Sequence, residues 1–149
     1  MSNHANLEKY CNDTKFWLNE IAEDIGYPEK PEWALNILKA VLFTIRDRTT
    51  VQEVFHLSAQ LPVLIRGFYF EGYNPSGKPM KIYSEEFMHQ IKSQIGPSIL
   101  VSPEDALRVV LNILYKKTSR GELEDIKHSM PKNIQRLWAN HMPNEPSMH

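Results

Sequence analysis

The residues best spaced for chemistry are three acidic-x-x-His pairs: Glu53 with His56, Glu86 with His89, and Asp125 with His128. A separation of three puts both side chains on one helix face, which is how di-iron carboxylate bundles hold their metals. Those bundles turn the pairs inward. Here the apolar stripes run through Val54, Leu57 and Leu61, through Phe87, Ile91 and Ile95, and through Leu123, Ile126 and Met130. The histidines fall off these stripes, so solvated polar faces are expected, with no metal and no cofactor. Cys11 is the single cysteine, which excludes an internal disulfide framework and a cysteine-rich zinc site. No histidine is fixed beside it and there is no Gly-x-Ser-x-Gly elbow, so an inert thiol is expected and no catalytic residue is assigned.

A second candidate lies mid-chain, where Arg66-Gly67-Phe68-Tyr69-Phe70-Glu71-Gly72-Tyr73-Asn74-Pro75-Ser76-Gly77-Lys78-Pro79 gathers aromatics, charges and turn formers. Its glycines and prolines force a sharp turn. The plain reading is a linker clamped by its aromatics. The functional reading is a ligand site built from Arg66, Tyr69, Glu71, Tyr73, Ser76 and Lys78, since loops on rigid scaffolds carry such sites. Asn74-Pro75-Ser76-Gly77-Lys78 lacks the glycine spacing and the preceding strand of a phosphate-binding loop, so nucleotide binding is not expected.

The elements that would position these groups are helical. The chain has 149 residues, 42% hydrophobic and 23% charged, which suits one compact domain with a real core. Seventeen basic and eighteen acidic residues leave a net charge of −1, against a dedicated nucleic-acid coat or a polybasic membrane anchor. From Arg108 to Arg136 seven Lys or Arg face three acids, which offers at most a weak nucleic-acid surface. No stretch approaches the roughly 18 apolar residues of a membrane span, and Met1 to Tyr10 has no apolar signal core, so a cytoplasmic protein without membrane contact is expected.

Sliding the sequence over itself by 69 positions sets Leu38-Lys39-Ala40-Val41-Leu42 on Leu107-Arg108-Val109-Val110-Leu111, Glu53 on Glu122, Leu57 on Ile126, Pro62 on Pro131 and Ile65 on Ile134. A shift of 70 sets Ile21, Ile25 and Gly26 on Ile91, Ile95 and Gly96. The matches fall at apolar, capping and proline positions, which predicts a duplication. Each copy reads as four helices. The first runs from Asp13 with Phe16, Trp17, Ile21 and Ile25 on its stripe, and its twin is capped by Ser84. The second is the most apolar, through Trp33, Ile37, Leu38, Val41, Leu42 and Ile45; its twin starts Ser102-Pro103-Glu104-Asp105. The third opens with a capping box, Thr50-x-x-Glu53 and Ser119-x-x-Glu122. The fourth follows Pro62 or Pro131. One copy of about 65 residues would be marginal alone. The expectation is an all-α fold: a single helical bundle domain of two tandem four-helix repeats with pseudo-two-fold symmetry. Its predicted parts are a leader over 1–12, repeat one over 13–72, a loop over 73–83, repeat two over 84–140 and a flexible tail over 141–149.

Several of these residues also carry a resemblance. Arg46-Asp47-Arg48, Gln60-Leu61-Pro62, Arg66-Gly67-Phe68-Tyr69 and Pro75-Ser76-Gly77-Lys78-Pro79, with Gly121-Glu122-Leu123-Glu124-Asp125 and Pro131 to Trp138, resemble the bacterial domain-of-unknown-function family numbered 2267. The resemblance covers roughly Phe16 to Trp138. It implies an uncharacterised helical cytosolic protein and supplies no catalytic residues. The functional expectation is a non-enzymatic module that binds a protein partner or forms a homo-oligomer. The alternatives are a small-molecule binder or enzyme at the junction of the repeats, and a weak nucleic-acid binder through the basic second repeat.

Overall fold

The computed structural model describes residues 3–80 and 83–143, with side chains from residue 6 onward. Residues 1–2 of the predicted leader, 81–82 of the predicted loop and 144–149 of the predicted tail lie outside the described residues. Among the described residues eight helices follow one another: α1 (Asn3–Asp24), α2 (Pro31–Arg46), α3 (Val51–Ser58), α4 (Val63–Tyr69), α5 (Ser84–Ile95), α6 (Pro103–Lys117), α7 (Arg120–His128) and α8 (Lys132–His141). The described residues contain no strand.

Local chemistry sets these boundaries. Pro31 and Pro103 open α2 and α6, where a missing N–H costs nothing. The hydroxyls of Thr50, Ser102 and Ser119 accept from the backbone N–H groups of Glu53, Asp105 and Glu122. Gly26 and Gly96, at φ +86° and +91°, turn the chain out of α1 and α5 through a conformation that a side chain would strain. Ser84 does not cap α5: the N-cap is Tyr83, which offers no side-chain hydrogen bond, and Ser84 is the first helical residue.

Helix α1 starts at Asn3, ten residues before the predicted Asp13. The extra turns carry few apolar residues and are held by local pairs: Lys9 Nζ reaches Asp13 Oδ2 at 3.2 Å, and the Thr14 hydroxyl donates to the Tyr10 carbonyl at 2.8 Å. A second difference concerns Phe16, predicted for the core stripe but 64% exposed. Adjacent helical residues point about 100° apart. Once Thr14, Trp17 and Ile21 face the core, Phe16 is turned out.

The core is built around α2 and α6, which pack on each other. Helix α2 buries Ala34, Ile37, Leu38, Ala40, Val41, Leu42 and Ile45, and α6 buries Ala106, Leu107, Val109, Val110, Leu111, Ile113 and Leu114. Each fully buried Leu, Ile or Val contributes about 1.5–3 kcal/mol before the entropy of ordering is subtracted. Helix α1 packs on α2, α4 and α6, and α5 packs on α6, α8 and α2, while α3 lies against α7. One hydrogen-bond relay ties the last three helices: Trp138 Nε1 donates to the Tyr115 hydroxyl at 2.9 Å, and that hydroxyl donates to Glu124 Oε2 at 2.8 Å. No helix among the described residues is long and apolar enough to cross a membrane.

Candidate functional site

The mid-chain segment is organised by a residue that the sequence reading did not select. Arg46, at the end of α2, has a side chain only 5% exposed. Its Nη1 donates to the carbonyls of Tyr69 at 2.8 Å and Glu71 at 2.7 Å, and its Nε to Asp47 Oδ1 at 2.9 Å. The guanidinium also lies over the rings of Phe43 and Tyr73, at 4.4 and 5.3 Å from their centroids. Because α4 ends by turning carbonyls outward, a buried cation at that end satisfies them.

Three of the six predicted ligand-site residues gather around Arg46. Tyr69 is fully buried, and Tyr73 is half-buried with its hydroxyl unpartnered. Burial pushes both phenols above the usual tyrosine range, and the Arg46 charge opposes that rise. Glu71 offers its carbonyl to Arg46 and its carboxylate to Lys39 Nζ at 3.2 Å. The other three lie apart from this group. Arg66 folds back onto the α3–α4 turn, where Nε donates to the Ser58 carbonyl at 2.8 Å and Nη2 to that of Leu61 at 3.3 Å. Ser76 is exposed, and its N–H donates to Asn74 Oδ1 at 3.0 Å. The Lys78 N–H donates to the Pro75 carbonyl at 3.2 Å. The loop is moored by the Met80 N–H, which donates to the Asp47 carbonyl at 2.8 Å.

A denser cluster lies between α3 and α7. Glu53 and Glu122 are the third residues of their helices, and each was expected to close a capping box. Both carboxylates turn toward His56 instead. The imidazole Nδ1 is 3.4 Å from Glu122 Oε1 and 3.7 Å from Glu53 Oε2. One ligand atom from each of the three residues lies within 4.8 Å of the other two. The Glu122 side chain is 8% exposed, and Glu122 Oε2 and Glu53 Oε2 are buried with no donor facing them unless one carboxyl keeps its proton for the other. Burial, then the hydrogen bond and charge of Glu53, then the charge of Asp125, push the Glu122 carboxyl up to about 8. Of the three acidic-x-x-His pairs, this one therefore departs from the solvated face expected of it. The repeat alignment set Glu53 on Glu122, and that match was the signal available in the sequence.

Around the cluster, hydrogen bonds join the same two regions. The Thr49 and Ser129 hydroxyls meet at 2.8 Å, and the Ser119 N–H donates to Gln60 Oε1. Gln60 also lines, with Asp13, Phe16, Trp17, Leu61, Pro62 and Lys117, an open cleft of about 340 Å³. Lys117 Nζ stands 5.2 Å above the Phe16 ring.

These features define an all-helical protein whose buried charged and polar groups bind the end of α2 to α4 and α3 to α7. The family model described as an uncharacterized conserved protein (DUF2267) matches residues 14–137. The chain belongs to that family, over nearly the span on which the sequence resemblance rested. No curated protein matches the sequence.

Proposed function

We propose that the chain is a non-enzymatic, self-associating protein-binding module, built from repeat one over 13–72, a loop over 73–83 and repeat two over 84–140. The duplication is supported by the way helix pairings recur: α1 with α2 and α4 parallels α5 with α6 and α8, and α1 with α6 parallels α5 with α2. The observation that carries the functional reading is Phe16. A large aromatic turned to solvent beside the cleft floored by Trp17 and Leu61 is the kind of anchor on which interfaces concentrate their energy. The rim of that cleft carries opposite charges, Asp13 and Lys117. A surface with both signs flanking an apolar centre complements its own copy across a two-fold axis, where Lys117 of each subunit meets Asp13 of the other.

Sedimentation velocity over a concentration series tests this reading. The expected result is a reversible dimer that Phe16→Asp converts to monomer at every concentration. Lys117→Asp alone weakens the dimer, and Lys117→Asp with Asp13→Lys restores it. A wild-type monomer throughout the series, or a dimer indifferent to Phe16→Asp, refutes the reading.

A further inference from the structure

Helices α3 and α7 lie far apart in sequence, yet each sends the third residue of its first turn to one point. In a capping box these glutamates would fold back onto the N-cap backbone N–H. Here they converge on His56, with buried oxygens on both carboxylates that no donor faces while both are charged and Glu122 more than nine-tenths buried. Two carboxylates facing one another out of water can both be charged only beside a cation; without one, a carboxyl must keep its proton. The group that faces both carboxylates is a single imidazole nitrogen, His56 Nδ1, shared between them.

We propose that Glu53, His56 and Glu122 form a binding site for a divalent cation of the zinc class. The donor set, two carboxylate oxygens and one imidazole nitrogen, suits Zn²⁺, Co²⁺ or Mn²⁺ better than Ca²⁺ or Mg²⁺, which favour all-oxygen shells. The spacing agrees. Ligand atoms about 2.0–2.1 Å from a tetrahedral metal stand roughly 3.3–3.4 Å from one another. The imidazole nitrogen is already 3.4 and 3.7 Å from its two carboxylate neighbours. Three protein ligands leave a fourth position, and His56, 51% exposed, lies on the side open to water. Asp125, three residues after Glu122 as His56 is three after Glu53, adds negative charge nearby. A cation held here cross-links α3 to α7.

The test uses the full chain, without a purification tag and stripped with a chelator, titrated with Zn²⁺ by calorimetry and with Co²⁺ by visible absorption. The expected result is one equivalent bound, a tetrahedral Co²⁺ spectrum and a higher thermal midpoint on loading. His56→Ala and Glu122→Gln each weaken binding by at least about tenfold, whereas His89→Ala, which removes the same motif on α5, leaves it unchanged. If Glu122→Gln fails to fold, His56→Ala decides alone, since its side chain is half exposed. Absence of stoichiometric binding, or affinity unmoved by His56→Ala, or an equal loss in His89→Ala, overturns the proposal.

Discussion

Replacing Arg46 by Met keeps the aliphatic stem and removes the guanidinium, so it isolates what that charge does. Two charge-assisted hydrogen bonds are lost, to the Tyr69 and Glu71 carbonyls at 2.8 and 2.7 Å. Such bonds are worth about 1.5–3 kcal/mol each. The Glu71 carbonyl belongs to an exposed residue and regains water, whereas Tyr69 is fully buried and its carbonyl is left short of a partner. The pair with Asp47 is partly exposed and adds under about 1 kcal/mol. Against these losses stands relief from burying a cation. The balance is a destabilisation of about 3 kcal/mol, or roughly 6–12 °C in Tm for a chain of this length. Urea unfolding followed by circular dichroism, compared at equal m-value, measures it. Arg46→Lys keeps the charge but loses the planar fork, and recovers less than half of the loss. A cost below about 1 kcal/mol for Arg46→Met, or an Arg46→Lys variant as stable as the parent, refutes the assignment of Arg46 as the clasp between α2 and α4.

Two further outcomes follow from the geometry. With no cation bound, burial and the neighbouring Glu53 push the Glu122 carboxyl up to about 8, from an ordinary value of 4.5. The folded state therefore binds the extra proton between those values, and its contribution to stability is full at low pH and lost as pH rises toward and through the upper one. Unfolding curves across that window are expected to show stability falling with pH, and Glu122→Gln to flatten the slope; an unchanged slope in the variant contradicts the assignment. Gly96, at φ +91° and ψ 162°, occupies backbone space that is nearly glycine-only. Gly96→Ala is expected to cost about 1–3 kcal/mol although nothing lies within 4 Å of the added methyl, so thermal unfolding at parental Tm would sink this reading.

Helix type and order could be read from the chain because α2, α6 and the capping sites obey local rules. The stripe through Ile37, Leu38, Val41, Leu42 and Ile45 needs no knowledge of its neighbours to be recognised. Asn3 to Asn12 escaped because an ion pair and a hydroxyl-to-carbonyl bond, not an apolar stripe, mark the helix there. Phe16 was misplaced because two adjacent aromatics compete for one face, and tertiary packing chose Trp17. The site was harder. Arg46 is an unremarkable helix-terminal arginine until the Tyr69 and Glu71 carbonyls arrive from 23 and 25 residues away. Glu53 and Glu122 each looked like a local cap, and only the packing of α3 on α7 turned two caps into one cluster.

The chain of groups from Trp138 through Tyr115 to Glu124 gives the protein a built-in optical reporter. The indole is nearly shielded from solvent, and its N–H is held by a phenol whose own proton is held by α7, the helix that also bears Glu122. Any event that shifts α7, whether proton loss, cation capture or the approach of another molecule, alters the polarity felt by that indole. Fluorescence of the unlabelled protein can therefore follow such events, with Trp17 and Trp33 replaced by Phe to leave a single emitter.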